Sequence, residues 1–163
     1  MLDAFAKWVV TTRLSAFVTG RPWVWPASET LHFIGLCLLV GAVGLMDLRM
    51  LGVAKRIPFA PLFRLVPWGV LGFVINLVTG ILFLAGHPEQ YVHNGAFQLK
   101  MLFVLLAGIN VVLFNLTVFR KTATLGPGDD APTGARIMAA VSLFLWFGVM
   151  YLGRMLPYIG NSF

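Results

Sequence analysis

The sequence predicts an all-α integral membrane protein, a four-helix bundle with an N-terminal amphipathic helix lying in the membrane interface. Three observations predict it. Of 163 residues, 59% are hydrophobic and only 11% charged, whereas a soluble domain carries about 25% charged residues. Four apolar stretches are each long enough to cross about 30 Å of hydrocarbon as a helix. The basic residues flank those stretches instead of interrupting them. The alternation of a membrane β-strand is absent, so helices are the spanning element that satisfies every backbone polar group.

Residues 1–26 form the interfacial arm. Asp3, Lys7 and Arg13 break any hydrophobic core of a secretory signal. Leu2, Phe5, Val9 and Ala16 fall on one side of a helical wheel, with Asp3 and Lys7 on the other. Gly20-Arg21-Pro22 ends the helix, and Trp23 and Trp25 follow at headgroup level. Residues 27–163 form one bundle. Its first span, 27–51, follows Pro26 and the capping candidate Ser28. The second, 65–86, is stopped by His87-Pro88. The third is 96–119. The fourth, 133–159, opens at Asp130 and Pro132 after Gly126-Pro127-Gly128. The lone cysteine, Cys37, excludes an internal disulfide and reads as a small buried apolar residue.

The loops after the first and third spans carry Arg49, Lys55, Arg56, Arg64, Arg120, Lys121 and Arg136. Against these seven stand Lys7, Arg13, Arg21, Lys100 and Arg154, three of them in the arm. The positive-inside bias places those two loops in the cytoplasm and both termini in the periplasm, in a bacterial inner membrane. The formal charge of +6 is therefore topological, and nucleic acid is not a partner. The lipid bilayer is.

This topology brings all three histidines to the outer face. His32 is an ionisable residue inside a span, costly there unless it functions. Gly35, one turn on, offers a recess where a flat ring can approach the backbone. Neutral imidazole is a common metal and haem ligand, so His32 is the first candidate ligand. A b-type haem takes a second from another helix, and His93, seven residues before Lys100, is preferred, with His87 as its competitor. Lys100 and Arg154 lie near the outer helix ends, where a long basic side chain meets either lipid phosphate or a haem propionate. Met150 and Met155 are possible thioether ligands that also suit packing.

Between the two faces, the second, third and fourth spans contain Asn76, Thr79, Asn110, Asn115 and Ser142, which with neighbouring glycines suit close helix packing. With no carboxylate at the midplane, proton-coupled transport is disfavoured. Asp47 and Arg49 end the first span, where pairing with Arg120 or Arg136 in a structural charge cluster is expected. No phosphate loop, cysteine metal motif or nucleophile–base pair is present.

Leu31-His32, Gly41, Gly44 and the run Asp47-Leu48-Arg49-Met50-Leu51-Gly52 look like an uncharacterised family of bacterial four-helix membrane proteins. Asn94 to Lys100, Ser142 to Trp146 and Gly153-Arg154 are consistent with it, over most of the chain from Pro26 to Tyr158. In layout the chain also resembles the HemJ-type protoporphyrinogen oxidases and the copper-resistance D membrane proteins. The HemJ resemblance rests on His32, Gly41, Arg49 and Leu99-Lys100, and implies b-type haem or porphyrin binding with His32 and Lys100 as the matched positions. Asn110 stands where a histidine is expected in the lysine helix, a departure that bears on oxidase activity.

The resulting expectation is a membrane b-type haem protein in electron transfer, with haem b near the periplasmic face. Its partner is a quinone, a periplasmic redox protein or a larger membrane complex. A haem-free accessory subunit, a copper-handling protein, a HemJ-like oxidase and a homo-oligomer are the alternatives.

Overall fold

The computed structural model describes residues 2–159, which contain helices and no strand. Four helices are long and apolar enough to cross a membrane: Val24–Leu51, Phe59–Gly86 with a break near its start, Gly95–Thr117 and Thr133–Met155. The fold class is the one predicted. Element bounds differ where local chemistry overrides the apolar pattern.

The arm is two helices, α1 (Leu2–Val10) and α2 (Arg13–Thr19), not one. Thr12 divides them: its hydroxyl oxygen accepts from the Ser15 N–H at 3.2 Å and starts α2 afresh. Helix α3 (Val24–Leu51) begins earlier than expected. Pro26 falls in its first turn, where a missing N–H costs nothing, and Ser28 is buried in the helix instead of capping it. Gly52 closes α3 at φ 95°, a left-handed conformation that glycine adopts freely, and its N–H donates to Arg49.

A short helix α4 (Phe59–Leu62) and a 3-10 turn (Phe63–Leu65) precede α5 (Val66–Gly86), lengthening the second span beyond the expected 65–86. Helix α6 (Pro88–Val92) fills the outer loop. Helix α7 (Gly95–Thr117) is capped by Asn94, whose side-chain oxygen accepts from the Ala96 and Phe97 N–H groups at 2.9 and 3.3 Å. Helix α8 (Phe119–Ala123) follows, and α9 (Thr133–Met155) ends short of the expected 159. Cys37, expected to be buried, lies on the outward surface of α3.

Two hairpins, α3–α5 and α7–α9, join along an α3–α9 seam, while α5 and α7 build no comparable interface with each other. The spatial order is thus α5–α3–α9–α7. The α3–α5 crossing is closest at Gly35 and Gly72: a Cβ on Gly72 would sit 2.5 Å from the Gly35 carbonyl oxygen and 2.6 Å from the Leu39 nitrogen. Between α3 and α9, Leu39, Leu145, Trp146 and Val149 form the middle of the core with Ala107 of α7. Met50, Phe59, Leu62, Ala131, Ala135 and Ala139 form a second cluster at the opposite end from His32. The many exposed aliphatic residues of the long helices suit a hydrocarbon surround, where apolar side chains need no protein cover. The arm packs α1 on α6 and α2 on α5, leaving Phe5, Trp8, Phe17 and Trp23 outward.

A histidine, a lysine and two ends of a bundle

His32 is half-buried on α3, and its Nδ1 lies 2.6 Å from the Thr79 hydroxyl oxygen on α5. The Thr79 hydroxyl also lies 2.7 Å from the Ile75 carbonyl and 3.3 Å from that of Asn76. With its proton on Ile75, Thr79 accepts from an Nδ1–H and Nε2 keeps its lone pair; the opposite tautomer accepts from Thr79 at the same distance. A hydrogen bond donated by the other ring nitrogen is what orients metal-bound histidines. The Phe83 ring stands 5.4 Å from the imidazole.

Lys100 of α7 supplies a cation at the same end of the bundle. Its ammonium acts on His32 electrostatically and passes over Gly153 of α9, where an added Cβ would be 3.5 Å from Nζ. No carboxylate among the described residues lies within ion-pair distance of Lys100. Each of the four long helices therefore contributes a residue at the His32 end of the bundle: His32, Thr79, Lys100 and Gly153. Thr79 and Gly153 were not singled out as site residues by sequence reasoning. Thr79 was visible as a hydroxyl within an apolar helix, but its partner lies 47 residues away in the chain. Arg154, next to Gly153, is exposed and outside any ion pair among the described residues.

Two of the expected site residues make other contacts. The recess anticipated at Gly35 is filled by α5: a Cβ there would meet Asn76 Nδ2 at 2.7 Å and the Gly72 carbonyl at 2.9 Å. Gly35 thus serves helix crossing. His93, preferred as a second ligand, is exposed and bound through Nε2 to Asp3 at 2.7 Å, tying the arm to the outer loop. His87 is exposed with its ring edge-on to Trp25 at 5.1 Å. Trp25 also meets Phe83 at 5.2 Å and donates its indole N–H to Glu29 at 3.1 Å. Of the two loop histidines, His87 is linked to His32 by intervening rings, and His93 contacts α1 instead. Burial, followed by the Glu29 charge, raises the Tyr91 phenol above its ordinary pKa.

The opposite end holds a different arrangement. Arg49 is 1% exposed, and its guanidinium donates to three loop carbonyls: Ile57 at 2.6 Å, Gly126 at 2.8 Å and Asp129 at 3.2 Å. Asp47 turns into the bundle toward Ser142 of α9; its Oδ2 is buried without a hydrogen-bond partner, as is the Trp146 indole nitrogen. The predicted pairing of these residues with Arg120 or Arg136 does not occur, since both arginines are exposed. Asp47, near the end of α3 as expected, is buried instead of joining a surface charge cluster. Among the described residues no three histidine, cysteine or acidic groups come together as a metal cage.

No curated protein and no solved structure matches the chain. The profile of DUF6644, a family of unknown function, matches residues 5–161, and the chain belongs to that family.

Proposed function

We propose that this DUF6644 protein is a membrane b-type haem protein in electron transfer, with its haem held at the His32 end of the bundle. The observation that carries the proposal is the imidazole of His32, whose Nδ1 is engaged by Thr79 while Nε2 has no hydrogen-bond partner among the described residues, which in the Nδ1–H tautomer leaves it a lone pair. That is the donor haem iron takes from histidine. The lysine fits the same group, because an ammonium with no carboxylate beside it suits a propionate. When bound, haem supplies one-electron redox chemistry.

The protein's own residues do the rest. His32 supplies the ligand nitrogen, and Thr79 fixes its tautomer and ring plane. Lys100 neutralises the acidic edge, Arg154 adds a second cation near the outer surface, and the apolar bundle excludes water. The proposed setting is a bacterial inner membrane with both termini periplasmic, which puts this end within reach of a quinone or a periplasmic redox protein.

Protein purified in detergent from haem-sufficient cells is expected to give reduced-minus-oxidised Soret and alpha bands and a pyridine haemochrome of the b type. His32→Ala should abolish them while leaving helix content unchanged. A colourless wild-type preparation, or bands undiminished in His32→Ala, rejects the proposal.

A further inference from the structure

Helix α7 is the least covered of the four, and one strip of it is shaped. Val104, Leu105, Gly108, Ile109, Val112 and Leu113 line a shallow groove on its surface. Gly108 keeps it open, since a Cβ there would have no neighbour within 4 Å. From Val104 to Leu113 the helix rises about 14 Å, close to the depth of one leaflet's hydrocarbon. The groove runs from the middle of α7 toward α8, ending at Leu113 one turn before the helix does.

At that end the charge is one-sided. Arg120 and Lys121 of α8 are exposed, and so is Arg64. The neighbours of Arg64 and Arg120 touch: the Phe63 and Phe119 rings are 5.1 Å apart. The loop acids there are occupied, Asp129 accepting from the Gly126 N–H at 2.7 Å and Asp130 pairing with Lys55 at 2.5 Å. No ion pair among the described residues uses Arg64, Arg120 or Lys121.

We infer that this strip binds an anionic phospholipid of the adjoining leaflet, one acyl chain along the Gly108 groove and the headgroup phosphate at Arg120 and Lys121, with Arg64 alongside. An apolar groove about the length of one leaflet, with exposed cations about two helical turns beyond its Leu113 end, complements such an amphiphile at both of its ends. Basic residues next to a membrane surface attract anionic lipid in this way. The inference does not depend on haem.

Native mass spectrometry of the full chain, released from nanodiscs of mixed phosphatidylglycerol and phosphatidylcholine, tests it. Wild type should retain phosphatidylglycerol in preference to phosphatidylcholine. Arg120→Gln with Lys121→Gln should lower that retention about twenty-five-fold, taking roughly fivefold per basic residue. Gly108→Leu fills the groove without touching the rest of the fold, and should displace the lipid while helix content and the unfolding midpoint hold. Equal retention of the two lipids, or retention unchanged in either variant, overturns the inference. So does displacement by inorganic phosphate alone, which would mark a headgroup site with no acyl channel. A second copy of the chain crosslinking through α7 in the same nanodiscs overturns it too.

Discussion

The two ends of the bundle both bury ionisable groups of α3, and they treat them in opposite ways. At one end Arg49 has its guanidinium directed at three loop carbonyls. At the other, His32 has one nitrogen engaged and one open, beside a lysine with no carboxylate partner among the described residues. A buried polar group satisfied by its own chain is a fastening. A group held in place by one contact with a second valence left open is arranged for something the chain does not supply. Saturation separates Arg49 from His32; it is a property of the residue and not of the whole end, since Asp47 beside Arg49 keeps one buried oxygen without a partner.

The largest effect expected of this difference is at Arg49. Its replacement removes the side-chain donor from three loop carbonyls, of which Gly126 keeps only the Asp129 N–H, and leaves the α3–α4 and α8–α9 loops joined by the Gly128-to-Lys55 and Phe59-to-Leu125 backbone bonds and the Lys55–Asp130 pair. Arg49→Met should destabilise the protein by at least about 3 kcal/mol, measured as equilibrium unfolding in mixed micelles. Arg49→Lys should recover only part of this, because an ammonium has no planar fork to span three acceptors. If the methionine variant unfolds like wild type, the inner end is not the fastening described here.

Second in size is the α3–α5 crossing, which sets the distance from His32 to Thr79. A methyl group at Gly72 would overlap the Gly35 carbonyl and the Leu39 nitrogen, forcing the two helices apart. Gly72→Ala should cost about 1–3 kcal/mol and weaken the haem spectrum with it. Gly80→Ala on the same helix meets nothing within 4 Å and serves as the silent control. Equal midpoints for the two variants would remove the crossing from the account of the site.

Much of this fold is legible in the sequence because the membrane makes each long apolar run declare itself. Errors fall where a contact between distant segments decides the outcome. Ser28 looks like a cap, yet the helix starts at Val24, because Pro26 is tolerated in a first turn. Gly35 looks like room for a ring, but small residues on one helix attract a neighbouring helix as readily as a ligand. His93 looks free until Asp3, ninety residues earlier, reaches it. Asp47 looks like a surface charge because it is only four residues from the end of α3; its direction follows from the α3–α9 seam, which no local pattern specifies. His32 was identifiable because an ionisable residue within an apolar run is rare, while Thr79 could not be assigned to it without the α3–α5 register.

Thr79 gives the next smaller effect and tests the outer end itself. Thr79→Val keeps the shape and removes the oxygen that accepts from Nδ1. The imidazole then loses its fixed tautomer and ring plane, and haem affinity should fall about 10–100-fold, the usual range for such supporting contacts. Haem titration into apoprotein measures it, with unfolding of the apoprotein as the companion readout. A spectrum and affinity equal to wild type would mean that His32 is not oriented through Thr79.

The smallest effect separates two ties between the same pair of loops. Arg49 joins them from inside, and Lys55 pairs with Asp130 at 2.5 Å on the exposed surface. The hydrogen bond from Lys55, and then its charge, hold the Asp130 carboxyl below the ordinary carboxylate range. A depressed folded-state pKa stabilises above the unfolded value of about 3.9, and that contribution disappears as pH falls through the folded value. The difference in unfolding midpoint between wild type and Lys55→Ala should therefore be small at neutral pH, shrink below about pH 4 and then vanish. Arg49 donates to carbonyls, which do not titrate, so the penalty of Arg49→Met should persist through the same acid range. A Lys55→Ala difference that survived acid would put that tie, too, on contacts other than its charge.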